Sequence, residues 1–490
     1  MSHDFTIVVI GGGIAGISCI ETLFQEYDEG NSQYNSVVLL SESHLVKAIT
    51  SFESRGRQLQ WFNVDEIELE KAFPTKPKGL KFSSVIGKVL KIDTGSQTIS
   101  YAAVSAIYTQ YYDKILMCTG SKPRQLIIPS GSITKEISEK IVIIRDTNTV
   151  VDFSSKLMQC RRIVIVGNGG IGLELVDKVV RCEKVWIIRD DSIGHTFFDS
   201  GASKFLLEAR KTKLGAEYKQ SSGPPSTLAT KNAISGKDFG PSLGPDWTNQ
   251  IELRGSSQVD DKLDIIYNDE IADIHFNDRC SRLVVTTLTG KKFDCDLIIS
   301  AIGVVANPPI VEGTTLILSD SDKGIIVDQQ MRTSVKNIYA AGDVVSCETW
   351  TQSELWFQMR LWVQAKQMGH YAGRCIVEHL NSRDPIIYFN FDCFTHCTAF
   401  FGHKLILLGR FNLQNFKQDE ASYCEVIARV NPGKDYVKLI IKSGRIIGAV
   451  LVGESGLEET IENLIRDQID VSAYKDHILD GTVDIEDYFD

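Results

Sequence analysis

Two runs of glycines are where residue type and spacing in this chain first suggest chemistry. Gly11-Gly12-Gly13-Ile14-Ala15-Gly16 follows the β-branched stretch 5–10 and leads into helix-like sequence through residue 24. In such a turn Gly11 permits the tight bend, Gly13 lets backbone amides approach a pyrophosphate, and Gly16 lets the helix pack closely on the strand. The start of the helix then presents unpaired N–H groups to phosphate charge. Glu42 stands just after the next strand, residues 37–40, where a carboxylate accepts hydrogen bonds from ribose hydroxyls. Strand, glycines, helix and Glu42 together indicate a bound dinucleotide; the glycines alone would not.

The second run, Gly167-Asn168-Gly169-Gly170-Ile171-Gly172, sits in the same arrangement, between a strand at 162–166, a helix to about residue 180 and a strand at 184–188. Gly167, Gly169 and Gly172 take the same three roles, with Glu174 two residues further on. Its second strand ends Ile187-Ile188-Arg189-Asp190, so a cation occupies the place of the ribose carboxylate. Either Arg189 pairs with a 2′-phosphate and favours NADP, or it is a solvated strand end and Asp190 takes the ribose; the cofactor is NAD(P) on both readings. Two such units about 155 residues apart predict two nucleotide-binding domains.

Three further segments make sense when read together. Residues 112–123 form a strand ending in Cys118-Thr119-Gly120, and 296–303 repeat that form, ending at Gly303. Residues 333–343 are a strand running into Gly342-Asp343. A carboxylate there can bind the ribityl hydroxyls of a flavin, and the small residues before it allow close approach of the backbone.

With these motifs in this order, the sequence resembles the FAD-dependent pyridine nucleotide-disulfide oxidoreductases, the class that includes nitrite and ferredoxin reductase flavoproteins, NADH oxidases and apoptosis-inducing factor. The resemblance covers most of residues 5–380 and continues more weakly through 437–453. It implies an α/β fold of two Rossmann-like dinucleotide-binding domains followed by an α+β interface-type domain. FAD would lie on Gly11, Gly13, Gly16, Glu42 and Asp343, with Thr119 and Gly120 lining its adenosine side. NAD(P)H would lie on Gly167, Gly169, Gly172 and Glu174, and Gly303 would mark the return from that domain. The expected boundaries are 1–150 with 304–384 for FAD, 151–303 for NAD(P), and 385–490 for the last domain. A helix at 356–372, with Trp362, Ala365 and Gly369, would close over the flavin, Trp356 and Trp362 serving as apolar packing.

The chain departs from that family in its thiols. Disulfide enzymes of the class relay electrons from flavin to a cysteine pair after the ribose-binding strand, or to a C-x-x-C in the nicotinamide domain. Here no cysteine occurs between Cys19 and Cys118 and no C-x-x-C occurs anywhere. Lys47 or Ser51 stands where relatives carry a thiol. Lys47 near the flavin would favour its anionic reduced form; alternatively it is a snorkelling surface lysine. Cys118 and Cys347 flank flavin motifs and read as small core residues. Cys393 and Cys397 lack zinc-ligand spacing, so no metal is expected. His275, His370 and His403 have no nucleophile or carboxylate at diagnostic spacing.

These sites need sizeable domains to hold them, and 490 residues suffice for about three. With 52 basic against 63 acidic side chains, general nucleic-acid binding is excluded as an expectation. Eleven cysteines read as reduced thiols, and the first residues carry no basic-then-apolar leader, so the expected location is the cytosol, with nuclear entry open. No apolar run approaches the roughly 20 residues that span a bilayer. Residues 217–262 carry turn formers and little apolar periodicity, predicting a disordered insertion anchored by Trp247; the acidic end, Asp480 to Asp490, reads as solvated.

Two functional classes fit. One is an NAD(P)H oxidoreductase handing electrons to oxygen, a quinone-like molecule or a partner's redox centre, with a role in redox or oxidative-stress defence. The other is a redox-gated binding protein whose reduced-FAD and NAD(P)⁺ complex interacts with or protects a partner. A monomer and a homodimer are equally open.

Overall fold

The computed structural model describes residues 5–129, 131, 133–221, 251–258, 262–350, 353–386 and 391–480. Trp247, residues 222–250 of the expected insertion, and the acidic end beyond Asp480 lie outside the described residues. The chain divides into two compact units, the first made of Met1–Ser51, Val64–Lys122 and Val304–Cys393, the second of Phe52–Asn63, Pro123–Gly303 and Phe394–Asp490.

The first unit is built on a five-stranded sheet with the order Ile338–Ala340, Lys114–Met117, Thr6–Ile10, Ser36–Ser41, Lys81–Ile86. Every pairing is parallel, and Val8 lies between Val38 and Ile115. Parallel strands are covered on both faces, so they carry continuous apolar runs; Ile7, Val8, Val9, Val37 and Leu116 are all fully buried. The helices Ile14–Gln25 and Trp362–Leu380 pack so closely that a Cβ at Gly369 would fall 2.1 Å from the carbonyl oxygen of Ala15. A four-stranded sheet of 88–93, 98–103, 106–111 and Val311–Glu312 completes the unit.

The second unit repeats the parallel theme in the order Ile141–Val142, Leu297–Ser300, Arg162–Val166, Glu183–Ile187, Leu263–Ile266. Lys184 inside this sheet is 1% exposed, and its ammonium donates to the carbonyls of Val176 and Val179 at 3.0 and 2.6 Å. It thereby satisfies the carbonyl end of the helix Gly170–Lys178. The unit also holds a five-stranded antiparallel sheet of residues 395–453 covered by the helix Glu458–Arg466. Ile461, Leu464 and Ile465 form that helix's buried face, as the three- and four-residue spacing dictates. Glu462 is also buried, and its carboxylate accepts the N–H groups of Gln58 and Leu59.

Two expectations are corrected here. The closing helix begins at Trp362 rather than 356 and runs to Leu380. Its supposed first turn is held out of helix by side chains: Gln358 bonds the Cys347 N–H and the Val345 carbonyl, and Gln364 bonds the Met359 N–H and the Phe357 carbonyl. Likewise the helix Ser200–Ser221 continues into the segment expected to be disordered from 217. Residues 251–258 of that segment are ordered too. Leu253 is 2% exposed, the Val180 N–H donates to its carbonyl, and the Gly255 N–H returns the bond to Val180. An apolar anchor and two main-chain bonds outweigh the turn-forming composition there.

Candidate functional site

Parallel register decides where the loops emerge. Ile10 pairs with Leu40 and Met117, and Ala340 pairs with Met117, so all these strands end at one edge of the first unit. Gly11, Glu42, Cys118-Thr119-Gly120 and Ala341-Gly342-Asp343 therefore leave the sheet side by side. Gly11 has φ +114°, and a Cβ there would lie 2.2 Å from the Cys118 carbonyl oxygen. At Gly16 it would lie 2.0 Å from the Gly11 oxygen. Gly13 differs: its Cβ would meet nothing within 4 Å, and the helix it opens has no side-chain cap. Uncapped N–H groups facing open space are what a pyrophosphate requires.

Around that loop stands a polar group drawn from distant segments. The Ser121 hydroxyl donates to Asp343 Oδ2 at 2.9 Å. Burial raises the Asp343 carboxyl above its usual range, against the lowering effects of Ser121, Arg360 and Lys47. Arg360 fixes the turn, donating from Nε to the Asp343 carbonyl at 2.8 Å and from Nη2 to Asp322 at 2.7 Å. The Lys47 N–H donates to the Gly12 carbonyl, its Nζ lies 3.6 Å from Glu66 Oε1, and it stands 5.6 Å from the centre of the Trp362 ring. Glu42 is an exposed carboxylate with Lys88 at 3.8 Å. Thr119 donates from its hydroxyl to the Asn307 carbonyl, and the Gly120 carbonyl accepts the Asn307 N–H.

The second unit repeats the backbone design. Val166 pairs with Ile187 and Ser300, so Gly167, Arg189 and the 301–303 turn share an edge. Gly167 has φ +117° and its Cβ would lie 2.2 Å from the Ala301 oxygen; at Gly172 it would lie 2.7 Å from the Gly167 oxygen. Gly169 again faces nothing within 4 Å at the start of an uncapped helix. Both loops thus fit a dinucleotide. Asn168 ties the rim together, donating to Asp190 Oδ2 at 2.7 Å and the Ser192 carbonyl at 2.8 Å, while its Oδ1 accepts the Gly194 N–H. Arg189 projects outward with its side chain 78% exposed, 4.0 Å from Asp190. Glu174 is 6% exposed within its helix, and Gly303, at φ +92°, accepts the Arg124 N–H.

Lys47 and Asp343 therefore come together in the first unit, and Asp190 joins the second loop through Asn168. Ser121, Glu66, Arg360 and Asn168 join these sites without having been predicted from the sequence. Ser121 was accessible as the neighbour of Thr119-Gly120; Glu66 and Arg360 carry no local signal. Ser51, the other residue considered at the thiol position, is exposed.

All eleven cysteines are free. Burial drives the thiols of Cys118 and Cys347 far above the ordinary value, and burial with Cys118 and Cys375 nearby does the same for Cys19. Such groups stay protonated, whereas a thiolate is the reactive form. No group of metal-holding side chains occurs among the described residues, and none of their helices is long and apolar enough to cross a membrane.

The profile of the pyridine nucleotide-disulphide oxidoreductases matches residues 5–231 and 251–369, and that of the rubredoxin NAD+ reductase C-terminal domain matches residues 400–469. Pyridine nucleotide-disulfide oxidoreductase domain-containing protein 1 of Danio rerio is 36% identical over 506 residues, covering 99% of this chain and 97% of the relative. Its Homo sapiens counterpart is 35% identical over 521 residues, covering 99% and 97%. Among solved structures, the covalent putidaredoxin reductase–putidaredoxin complex shares the fold, with a TM-score of 0.65 at 14% identity over 100% of this chain and 99% of that one. The chain belongs to the pyridine nucleotide-disulphide oxidoreductase family, α/β flavoproteins whose cofactors are FAD and NAD(P)H.

Proposed function

We propose that this protein is an NAD(P)H oxidoreductase that passes electrons from its flavin to an acceptor other than a protein disulfide. Gly11, Gly13, Gly16, Glu42, Thr119, Gly120 and Asp343 are assigned to FAD. Gly167, Gly169, Gly172, Glu174, Arg189 and Gly303 are assigned to NAD(P)H. The observation that carries this reading is the pair Lys47–Glu66, 3.6 Å apart beside the first glycine loop, where disulfide enzymes place cysteines. When bound, NAD(P)H supplies a hydride and FAD accepts it, so the protein's task is largely positioning. Gly13 and Gly169 leave room for phosphate, Arg360 holds the Asp343 turn, and Lys47 is a cation anchored at its main chain by Gly12. An ammonium fixed there stabilises negative charge gathering on the group seated in the loop. The buried thiols of Cys19, Cys118 and Cys347 cannot serve as the relay while they stay protonated.

The acceptor classes are oxygen, a quinone-like molecule or the redox centre of a partner protein. A reducing compartment such as the cytosol, and a role in redox or oxidative-stress defence, complete the proposal. Anaerobic titration with NAD(P)H tests it: a single equivalent per flavin should bleach the chromophore fully. Uptake of a second equivalent, with two new titratable thiols, would show a redox-active disulfide and overturn the reading. Admission of oxygen then tells catalysis from a binding role, because reoxidation over minutes without turnover favours the latter.

A further inference from the structure

The flavin-facing loops occupy the carboxyl ends of the first unit's strands, yet a cavity on that unit opens at their amino ends. It has a volume of about 370 Å³, and its wall includes Lys114, Lys336, Arg332, Asn337 and His379 together with the carboxylate of Asp328. Lys114 begins one central strand and Asn337 immediately precedes another; the Ile115 N–H donates to the Asn337 carbonyl, so the cavity floor is sheet backbone. The strand 114–117 puts about 13 Å between this floor and the flavin edge.

The charges lining it do not balance. Arg332 is committed to Asp328, with Nε on Oδ2 at 2.7 Å and the other carboxylate oxygen on main-chain N–H groups. Lys114 donates to Asn337 Oδ1 at 2.9 Å, a neutral acceptor, and lies 5.9 Å from the Tyr339 ring. Neither Lys114 nor Lys336 has a carboxylate at ion-pairing distance among the described residues. Asp113, the neighbour of Lys114, turns its carboxylate to the Thr6 N–H at 2.7 Å and the Tyr111 hydroxyl at 3.2 Å. Asp384 acts on Arg332 and His379 only from a distance. His379 completes the wall, bonded through Nδ1 to the Tyr339 hydroxyl and through Nε2 to Gln330, so neither ring nitrogen offsets the ammonium groups.

We propose that this cavity is a second anion site, separate from both glycine loops, that takes the phosphoryl group of a small metabolite. Two lysines around a neutral amide are compact point charges suited to a tetrahedral phosphoryl group. A planar carboxylate would instead be matched by an arginine fork, and the one fork present is occupied by Asp328. Burial first and the repulsion of Lys336 second lower the Lys114 ammonium's pKa, against a smaller raising effect of Asp113, and an anion would relieve the repulsion. The volume falls at the lower end of small-molecule sites, about 300–1,000 Å³, which suits a phosphorylated metabolite better than a dinucleotide.

The test titrates inorganic phosphate calorimetrically, at constant ionic strength, into the FAD-loaded protein saturated with NAD⁺, so that both loops are filled. One further phosphate per chain should bind. Lys336→Ala, at an exposed position, and Lys114→Met should each weaken it by about tenfold or more, the loss of one charge-assisted contact. Flavin content and reduction by NAD(P)H should stay at wild-type levels, which also shows that the variants are folded. Absence of binding to the wild type, or equal binding to wild type and Lys336→Ala, would overturn the proposal. Citrate binding in preference to phosphate would overturn the phosphoryl assignment.

Discussion

The two glycine loops are nearly the same object in backbone terms and different objects at their rims. In each, the first glycine has φ near +115°, at +114° and +117°, with a neighbouring strand's carbonyl 2.2 Å from where its Cβ would be. In each, the middle glycine faces open space at an uncapped helix start. The rims diverge. The first loop is flanked by exposed Glu42, by Asp343 on a turn pinned by Arg360, and by the Lys47–Glu66 pair. The second has Asp190 drawn in by Asn168 and Arg189 left pointing outward. On the proposed assignment the shared cradle takes the phosphates of both cofactors, and the rim side chains are what would distinguish one dinucleotide from the other.

The sharpest way to break this comparison is to fill both cradles. Gly13→Val should yield a folded but colourless protein. Gly169→Val should stay yellow while its reduction by NAD(P)H slows by more than about 100-fold, since orientation alone accounts for that much rate. Absorbance spectra and stopped-flow traces read both, and a colourless Gly169→Val would exchange the two assignments. Within the first rim, Lys47→Met should slow flavin reduction by about tenfold and lower the flavin's reduction potential, because a fixed cation favours added negative charge. An unchanged potential would assign Lys47 to surface packing.

Acid provides a test confined to the second unit. Burial holds His396, beside the Phe197 ring, from its ordinary 6.5 down to about 4. The unfolded chain gains a proton near pH 6.5 that the folded one refuses until about pH 4, so this contribution is complete above 6.5 and is lost as pH falls through that window. The loss is on the order of 1–3 kcal/mol, and denaturation of His396→Gln across the window should show correspondingly less of it. The smallest expected effect is at the second rim. Arg189→Ala should raise KM for NADPH about fivefold while leaving NADH unaffected, if the guanidinium meets a 2′-phosphate. Equal effects on both nucleotides would leave the ribose to Asp190.

Much of the cradle was legible because its rules are local. A β-branched run, three glycines and a helix lie within about twenty residues, and strain, clash and helix dipole act at that range. The rim was not legible. Lys47 and Glu66, Asp343 and Arg360, and Asn168 and Asp190 are brought together by strand order and side-chain rotamer, neither of which leaves a pattern along the chain. Composition misled at 251–258, where Leu253 overrides polar, turn-forming neighbours. It misled again at 356–361, where glutamine side chains compete with helix for the main chain.

By itself, the sequence determined the two glycine loops, the family the chain belongs to and the absence of any cysteine between Cys19 and Cys118. Each depends only on which residues are neighbours in the chain. Only the tertiary structure decided that Lys47 is tethered to the first loop and faces Glu66, that Asn168 claims Asp190, and that Lys114 and Lys336, with no carboxylate at ion-pairing distance among the described residues, line one cavity at the amino ends of the strands. Those outcomes follow from parallel pairing, which gathers every strand's end at one edge and every strand's beginning at the other, whatever their distance in sequence.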